Sequence, residues 1–416
     1  MPTRQRPAWF IALLIAGLSG CGGGSTTVDA SAQSQDATAN AEAVRTPRTP
    51  APTPVPVPTL ADVGNRLFNE ASLSASGKLA CATCHVETRG HADAAGFLPL
   101  GGADGAHQGL RSTPSARYLD QAGAFGFDAQ GRPRGGLFWD GRANTRQQQA
   151  RGPLFNADEM ANTGVAALAT RLRALSYAGD LRAAAALPAA ATDDQLVDAA
   201  VNALARFQAE DTRFHPFTSK FDAVQDGRTT FTAQEQRGLA AFNDPQRGNC
   251  ASCHDSRPAP GIGRALFTNF SYHALGVPRN RSQATADPSF FDLGLCGPQR
   301  SDLAGRNDLC GMFRTPSLRN VALTAPYFHN ASFATLEDVV AFYATRDLDP
   351  ARWYPTVNGQ VQVYNDLPAG LRTNVQRGAP FRRAGQPPAI TPQDAADIVA
   401  FLRTLTDGFA LPAGTQ

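Results

Sequence analysis

Two copies of the pentapeptide Cys-x-x-Cys-His restrict the fold of this chain more than any other feature of its sequence. One copy is CATCH at residues 81–85, and the other is CASCH at residues 250–254. Two thiols three positions apart on a helical turn can bond the two vinyl groups of one haem, and the adjacent histidine can supply the proximal imidazole to its iron. The motifs therefore predict two covalently bound haem c groups. The attachment cysteines and iron-binding histidines are Cys81, Cys84, His85, Cys250, Cys253 and His254.

Two other chemistries also use paired cysteines. A thioredoxin-type dithiol requires no histidine beside it, whereas both copies here have one. A zinc ribbon is compact, whereas these two cysteine pairs lie in different halves of the chain. Haem attachment is therefore the interpretation that accounts for both copies.

The composition fits a folded protein of roughly two or three domains. The chain has 416 residues, of which 42% are hydrophobic, enough for sizeable cores. Its formal net charge is only +2, so nothing indicates the concentrated basic face that a nucleic-acid partner would need. Only three methionines are present, counting Met1. Few residues can therefore supply the methionine that often accompanies histidine on electron-transfer haems.

Residues 1–21 are predicted to be a lipoprotein signal peptide. Arg4 and Arg6 precede an apolar run from Trp9 to Leu18, which is too short to span a bilayer. The run leads into LSGC, which resembles a bacterial lipoprotein cleavage box with Cys21 as the lipidated first residue of the mature chain. The alternative is an ordinary cleaved signal with an incidental cysteine. Glycine after the cysteine is typical of outer-membrane lipoproteins, so we predict a periplasmic protein anchored by lipid to the outer membrane.

Residues 22–58 are rich in Pro, Ala and Ser, and their last part alternates proline with other residues. Such a segment cannot bury a core, and its Pro-rich part should extend as polyproline II. We predict a tether here, with plain disorder as the alternative.

Two cysteines remain outside the signal and the pentapeptides. Because the periplasm is oxidising, Cys296 and Cys310 are predicted to form a disulfide in the loop after the second pentapeptide. Two buried free thiols are the alternative.

Helix signals dominate the chain from Thr59 onward, and convincing strand alternation is scarce. Long Gly- and Pro-rich loops separate the helices, and such loops are unusual unless something organises them. We predict a mainly α fold with two cytochrome c-like haem domains, at 59–225 and 226–416. The helical patterns cover Leu60–Ala71, Thr163–Ala178, Asp193–Asp211, a capping box at Thr232–Glu235, Thr335–Tyr343 and Thr391–Leu405.

Several ordered motifs add a family resemblance that covers residues 60–406. WDGR at 139–142, followed by Gln149 and Glu159, resembles the signature between the haems of bacterial dihaem cytochrome c peroxidases and their relative MauG. FRTPSLRNVA at 313–322 and TAPYFH at 324–329 resemble the signature of the second domain. The resemblance implies that the first haem is the peroxidatic one.

The resemblance assigns catalytic roles to three residues near the first haem. Glu159 matches the family's distal carboxylate, Gln149 a polar residue of the same pocket, and Trp139 an oxidisable tryptophan between the haems. Acid–base help from a carboxylate contributes typically 10²–10⁴-fold to such a reaction. Taken alone, Trp139 would be a core aromatic and Glu159 a surface carboxylate. Their joint spacing favours the catalytic interpretation.

The resemblance places Tyr343 at the position where classical dihaem peroxidases have a methionine ligand to the second haem iron, and where MauG has a tyrosine, as this chain does. Tyrosine is a hard, anionic donor that stabilises ferric and higher oxidation states, whereas methionine raises the potential. The alternative is that Tyr343 is helix core and that Met312, His329 or His273 binds the iron.

Two further expectations follow from the family. Thr324 and Pro326 match carbonyl ligands of a calcium ion, but Ser112 stands where the family has an asparagine ligand. His107 lies in the Gly-rich loop that carries a removable distal histidine in some relatives, or it is a solvated loop residue.

Three functions are compatible with these residues. The first is a peroxidase that reduces hydrogen peroxide at the first haem with electrons from a small periplasmic cytochrome c or cupredoxin. The second is a MauG-like oxidase of a protein or organic partner through a bis-Fe(IV) state, which Tyr343 favours. The third is a plain electron carrier, which the scarcity of methionine and the presence of Glu159 disfavour. Relatives are often homodimers, so a homodimer is expected.

Overall fold

The computed structural model describes residues 57–93, 98–280 and 286–411. The predicted signal, the predicted lipid-bearing Cys21 and most of the predicted tether lie outside these residues. Within the described ranges, no helix is long and apolar enough to cross a membrane.

Helices provide most of the regular structure, which confirms the mainly α prediction. In chain order they are α1 (Leu60–Phe68), α2 (Cys81–Cys84), α3 (Arg146–Phe155), α4 (Val165–Ala174), α5 (Ala178–Ala184), α6 (Asp193–Glu210), α7 (Lys220–Gln225), α8 (Ala233–Asn243), α9 (Leu336–Thr345), α10 (Pro350–Trp353) and α11 (Pro392–Arg403).

The strands are two residues long and form four separate antiparallel pairs, each of consecutive strands. They are β1 (Leu100–Gly101) with β2 (His107–Gln108), β3 (Gly126–Phe127) with β4 (Pro133–Arg134), β5 (Tyr272–His273) with β6 (Phe313–Arg314), and β7 (Thr356–Val357) with β8 (Gln360–Val361).

Threonine caps define where several helices begin. The Thr232 hydroxyl accepts from the Glu235 amide at 3.2 Å, and the Glu235 carboxylate accepts from the Thr232 amide at 2.7 Å. This reciprocal pair confirms the predicted capping box at the start of α8. Equivalent boxes start α1 at Thr59, α6 at Thr192 and α11 at Thr391.

The helix predicted over Thr163–Ala178 is wrong in extent, because the chain breaks between α4 and α5. Leu175 takes an extended conformation at the end of α4. The break turns Leu175 and Tyr177 into the first core, where both are buried. Burial of these two side chains therefore overrides the continuous helical pattern.

The two halves repeat one helix crossing. In the first half α1 packs on α6, and in the second half α8 packs on α11. A Cβ atom on Gly64 of α1 would lie 2.0 Å from the Ala203 carbonyl oxygen, and one on Gly238 of α8 would lie 2.0 Å from the Asp397 carbonyl oxygen. Only glycine allows backbones to approach this closely. The two halves therefore share one close backbone crossing of two helices.

The predicted domain boundary between residues 225 and 226 stays a prediction. Phe221 of α7 packs in the second core rather than the first, beside Phe401 of α11. The part of the chain that leads into the second half therefore already contributes to its core.

A buried ion pair fixes the segment that follows β6. Both guanidinium Nη atoms of Arg319 donate to the Asp222 carboxylate at 2.9 Å, and Nε donates to the Ala265 carbonyl at 2.6 Å. Both partners are fully buried, so either one alone would be an uncompensated charge in the core. The pair therefore joins α7 to the segment that follows β6.

The predicted disulfide between Cys296 and Cys310 is confirmed. Both residues pack with Tyr272 of β5 in one small apolar core. The bridge therefore secures the long loop against the antiparallel pair of β5 and β6.

Replacing both cysteines with alanine should lower the free energy of unfolding by about 3 kcal/mol, because the bridge closes a loop with a sequence separation of 14 residues. Guanidinium titration of the haem-loaded protein would measure the loss. Ser301→Ala, in the same loop, is the matched control and should leave the midpoint in place. An unchanged midpoint in the double variant would contradict the expected stabilisation.

Candidate functional site

The first pentapeptide begins on the single turn of α2 and ends at its C-cap, His85. The His85 ring Nδ1 lies 2.9 Å from the carbonyl oxygen of His91. A carbonyl can only accept, so Nδ1 carries the hydrogen and Nε2 keeps its lone pair for a metal. Burial lowers the pKa of His85, which favours the neutral form that a metal ligand needs.

The second pentapeptide has the same design on a short 3₁₀ turn, Cys250–Ser252. The His254 ring Nδ1 lies 3.0 Å from the carbonyl oxygen of Phe267, and burial lowers the pKa of His254 to about 4. The residues that supply these two carbonyls, His91 and Phe267, share a left-handed backbone with φ of 53°. In both halves, therefore, the carbonyl that orients the histidine belongs to a residue with a strained, left-handed backbone.

Sequence reasoning assigned no role to His91. Its carbonyl orients His85, and its ring stacks on Phe214 at 4.2 Å while Arg117 Nε donates to its Nδ1 at 3.1 Å. A backbone carbonyl leaves no trace in the side-chain pattern, so the sequence offered no signal for this contact.

The four pentapeptide cysteines are free thiols that face two cavities. Burial raises the pKa of Cys81, Cys84 and Cys250 to about 12. Redox dithiols have the opposite property, a lowered pKa. Across the described ranges, no group of three or more His, Cys, Asp or Glu side chains is arranged to hold a metal ion, which disfavours a zinc site.

Each cavity is large and predominantly apolar. The cavity beside Cys81 encloses about 1450 Å³ of empty space, and that beside Cys250 about 1730 Å³, part of each open to solvent. The thiol pair and the adjacent histidine of one pentapeptide line each cavity, so both cavities fit a large planar group held by two thioethers and one imidazole.

One wall separates the two cavities and belongs to both. It consists of residues 112–115, Trp139 and Arg314. The indole Nε1 of Trp139 donates to the Ser112 carbonyl at 2.8 Å, and the Arg314 amide donates to the Trp139 carbonyl at 2.8 Å. Trp139 thus lies in the wall between the two cavities.

Polar groups converge on the first cavity from α3 and the turn that follows it. Glu159, Gln149 and Arg142 all line it. The Glu159 carboxylate accepts from the Asn156 side-chain amide at 2.8 Å, and burial raises the pKa of Glu159 above its usual value of 4.5. The structure therefore brings Glu159 and Gln149 together, as the sequence predicted, with Arg142 beside them.

Arg314 lines both cavities, but the sequence predicted no separate role for it within the FRTPSLRNVA motif. Its side chain lies in the shared wall, its Nη1 is buried without a partner, and it pairs with no carboxylate among the described residues. A buried charge without a counter-ion is strongly unfavourable. Haem carries two propionate carboxylates, so this unpartnered donor is a further feature that fits haem.

Tyr343 lines the second cavity from α9. Its ring stacks on Phe381 with centroids 5.6 Å apart, and its hydroxyl makes no hydrogen bond with any described residue. Burial raises the pKa of Tyr343, and the Cys253 thiol raises it further, which puts the hydroxyl near the attachment cysteines. The free hydroxyl is therefore available to a ligand in this cavity.

The alternative ligands to the second iron are less available. Met312 does not line the cavity. His329 stacks on Phe313 at 3.5 Å and lies 3.2 Å from the Asp366 carboxylate. His273 lines the cavity at its attachment edge, where its Nε2 lies 3.2 Å from the Cys253 sulfur and 2.8 Å from the Ser271 hydroxyl. Both histidines are therefore held by other contacts.

His107 lies in the β1–β2 hairpin outside the first cavity. Its side chain is 56% exposed, and its Nδ1 lies 3.4 Å from the Asp158 carboxylate. This position agrees with the solvated-loop interpretation of His107.

The surroundings of the predicted calcium site fit the ion poorly. The Ser112 hydroxyl donates to the Phe328 carbonyl at 2.7 Å. The Arg89 guanidinium donates at 2.9 Å to the Ala325 carbonyl, which lies between the expected ligands Thr324 and Pro326. A cation already sits at this turn, and calcium prefers several oxygen ligands including carboxylates. Calcium binding stays a prediction.

Residues 58–230 match the family model described as di-haem cytochrome c peroxidase. The methylamine utilization protein MauG of Paracoccus denitrificans is 35% identical over 371 residues, which cover 84% of this chain and 88% of that protein. The cytochrome c551 peroxidase of Nitrosomonas europaea is 30% identical over 283 residues, covering 68% of this chain and 71% of the relative.

Solved structures give the same picture over the described fold. The diheme peroxidase BthA from Burkholderia thailandensis superimposes with a TM-score of 0.77 at 39% identity, covering 87% of this chain and 90% of BthA. A MauG-like protein associated with microbial copper homeostasis gives a TM-score of 0.59 at 27% identity, covering 89% of this chain and 97% of that one.

Proposed function

Since this chain belongs to the di-haem cytochrome c peroxidase family, we propose that it reacts with hydrogen peroxide at a haem bound by Cys81, Cys84 and His85. A second haem, bound by Cys250, Cys253 and His254, stores or relays the oxidising equivalent. The observation that carries this proposal is the position of Glu159, a half-buried carboxyl group of raised pKa inside the first cavity.

Cleavage of the peroxide O–O bond requires a proton to move from one oxygen to the other. When bound, the haem supplies the electrons for this cleavage. Glu159 is placed to take the proton from one peroxide oxygen and deliver it to the other, which leaves as water. The Asn156 side-chain amide holds one oxygen of Glu159 at 2.8 Å, which leaves the other oxygen for substrate. Gln149 lines the same space and would orient the peroxide.

Trp139 is proposed to carry electrons between the two haems. Its indole lies in the wall that both cavities share, and its N–H is fixed on the Ser112 carbonyl at 2.8 Å. A fixed, oxidisable indole between two redox centres shortens each electron step. Among the described residues, no other indole lines either cavity.

Tyr343 is proposed as the axial ligand of the second haem iron. Support comes from its unengaged hydroxyl in the second cavity and from the poorer availability of the other ligands. An anionic oxygen ligand stabilises oxidised iron, so this haem would hold an oxidising equivalent rather than accept electrons at high potential. That electronic design also favours a second candidate function, oxidation of a protein or organic partner, as in the MauG-like alternative.

The cellular setting is part of the proposal. Residues 1–21 and Cys21 support export and lipid anchoring to the outer membrane, with residues 22–58 as the tether. A small periplasmic cytochrome c or cupredoxin would then donate electrons, and a homodimer is the expected assembly.

The optical and near-infrared spectra of the diferric protein, before and after one equivalent of hydrogen peroxide, test this electronic design. We expect a new near-infrared band without prior reduction, because Tyr343 lets the second haem share the oxidising equivalents. A protein that reacts only after one haem is reduced would overturn the assignment of Tyr343. A protein that does not react with peroxide in either state would overturn the peroxidase proposal itself.

A further inference from the structure

Arg314 of β6 is one of the most deeply buried charged residues in the described part of the chain. Its residue is only 5% exposed, and burial lowers the pKa of its guanidinium. The side chain lines both cavities from the wall between them. A cation in this position needs a compensating negative charge.

No described residue supplies that charge at hydrogen-bond distance from Arg314. The Nε atom of Arg314 donates to the Phe138 carbonyl at 3.0 Å, but Nη1 is buried without a partner and Nη2 makes no hydrogen bond with a described residue. The charge of the Asp140 carboxylate acts on Arg314, but this carboxylate is already engaged by Arg111 at 2.7 Å and by Arg142 at 3.0 Å. Two guanidinium donors of Arg314 therefore remain for a ligand.

A ligand for these donors must be anionic and must reach the shared wall from inside the cavities. Carboxylates suit a guanidinium because its donors form a planar fork that matches their oxygens. The apolar surface that makes up most of each cavity excludes a freely solvated anion. The carboxylate must therefore belong to a large apolar group that fills the cavity.

We propose that Arg314 binds a propionate carboxylate of each haem, so that one guanidinium serves both cofactors. The proposal rests on the haem binding proposed above and does not depend on the reaction with peroxide. Because the Arg314 amide also donates to the Trp139 carbonyl at 2.8 Å, the residue that seats the carboxylates also positions the indole between them.

A shared cation has a consequence for both redox centres. Reduction adds negative charge to a haem, and a nearby positive charge stabilises the reduced form. Arg314 should therefore raise the midpoint potentials of both haems at once. The effect on the two potentials separates this role from a purely structural one, which would not shift both in the same direction.

Spectroelectrochemical titration of the diferric holoprotein would test the proposal. In Arg314→Gln we expect both midpoint potentials to fall with two haems still bound, and in Arg314→Lys we expect a smaller fall in both. Arg132→Gln is the matched control, since Arg132 is exposed, pairs with Asp128 and lines neither cavity. Its potentials should equal those of the unaltered protein. If Arg314→Gln binds two haems and either potential stays unchanged, the proposal is overturned.

A crystal structure of the unaltered holoprotein provides a test that does not depend on the variant maturing. We expect an Arg314 Nη atom within about 3.2 Å of a propionate oxygen of each haem. A guanidinium that contacts neither propionate, or only one haem, would overturn the proposal. Peroxide turnover is measured in parallel. A protein that shows these contacts and shifts without turning over peroxide would contradict the proposed function and still support the proposal for Arg314.

Discussion

Replacing Glu159 with glutamine is expected to slow peroxide turnover by about 10²–10⁴-fold while both haems stay bound. Glutamine keeps the shape of the side chain and can still interact with Asn156, but it cannot accept and return a proton. Glu159 faces the first cavity and contributes no buried ion pair, so its loss should leave the fold intact. Steady-state peroxide consumption and haem content, measured on the same sample, would check both parts.

The pH profile gives this prediction a second measurement. The carboxylate form of Glu159 must accept the proton, and burial raises its pKa above 4.5. Activity should therefore be lost as the pH falls through that raised pKa. This acid limb of the pH profile should lie at a higher pH than the usual pKa of a glutamate side chain would give. The limb should be absent in Glu159→Gln.

Glu210→Gln is the matched control for the loss of one carboxylate. Glu210 is 41% exposed, pairs with Arg206 on the surface of α6 and lines neither cavity. Its turnover and pH profile should match those of the unaltered protein. Normal turnover in Glu159→Gln would show that another group moves the proton.

Replacing Tyr343 with methionine is expected to raise the midpoint potential of the second haem by a sizeable part of the roughly 0.8 V span that axial ligands control. Methionine is a neutral, soft donor that favours the reduced iron, whereas a tyrosine oxygen favours the oxidised iron. The variant should then require prior reduction before it reacts with peroxide, and the near-infrared band should be lost. A spectroelectrochemical titration measures the shift.

Tyr327→Phe is the control for this substitution, because Tyr327 lines the same cavity but donates its hydroxyl to the Val321 carbonyl at 3.0 Å. Its second haem should keep the potential of the unaltered protein. If Tyr343→Met leaves that potential in place, Tyr343 is a packing residue of α9 and another side chain binds the iron.

Much of the molecule could be predicted because its strongest signals are local. The CxxCH spacing predicts thiols and an imidazole on one turn, and the structure has both sets facing cavities. The capping box at Thr232 and the disulfide of Cys296 are equally local in their chemistry, and both predictions are confirmed.

The remaining features could not be predicted because they depend on distant parts of the chain. The break after Leu175 follows from packing in the first core, which the helical pattern does not contain. The carbonyls of His91 and Phe267 act through the backbone, so their residue types carry no signal. The sequence does not distinguish Arg314 from other arginines, because only the structure shows that its Nη1 is buried without a partner among the described residues.

The wall shared by the two cavities makes each half of the chain incomplete by itself. Residues 112–115 and Trp139, from the first half, line the second cavity, and Arg314 and Gln299, from the second half, line the first. A gene cut at the predicted boundary would encode two fragments, each with a cofactor pocket open on one side. Although the two halves repeat one helix crossing, each needs residues of the other to complete the wall of its cavity.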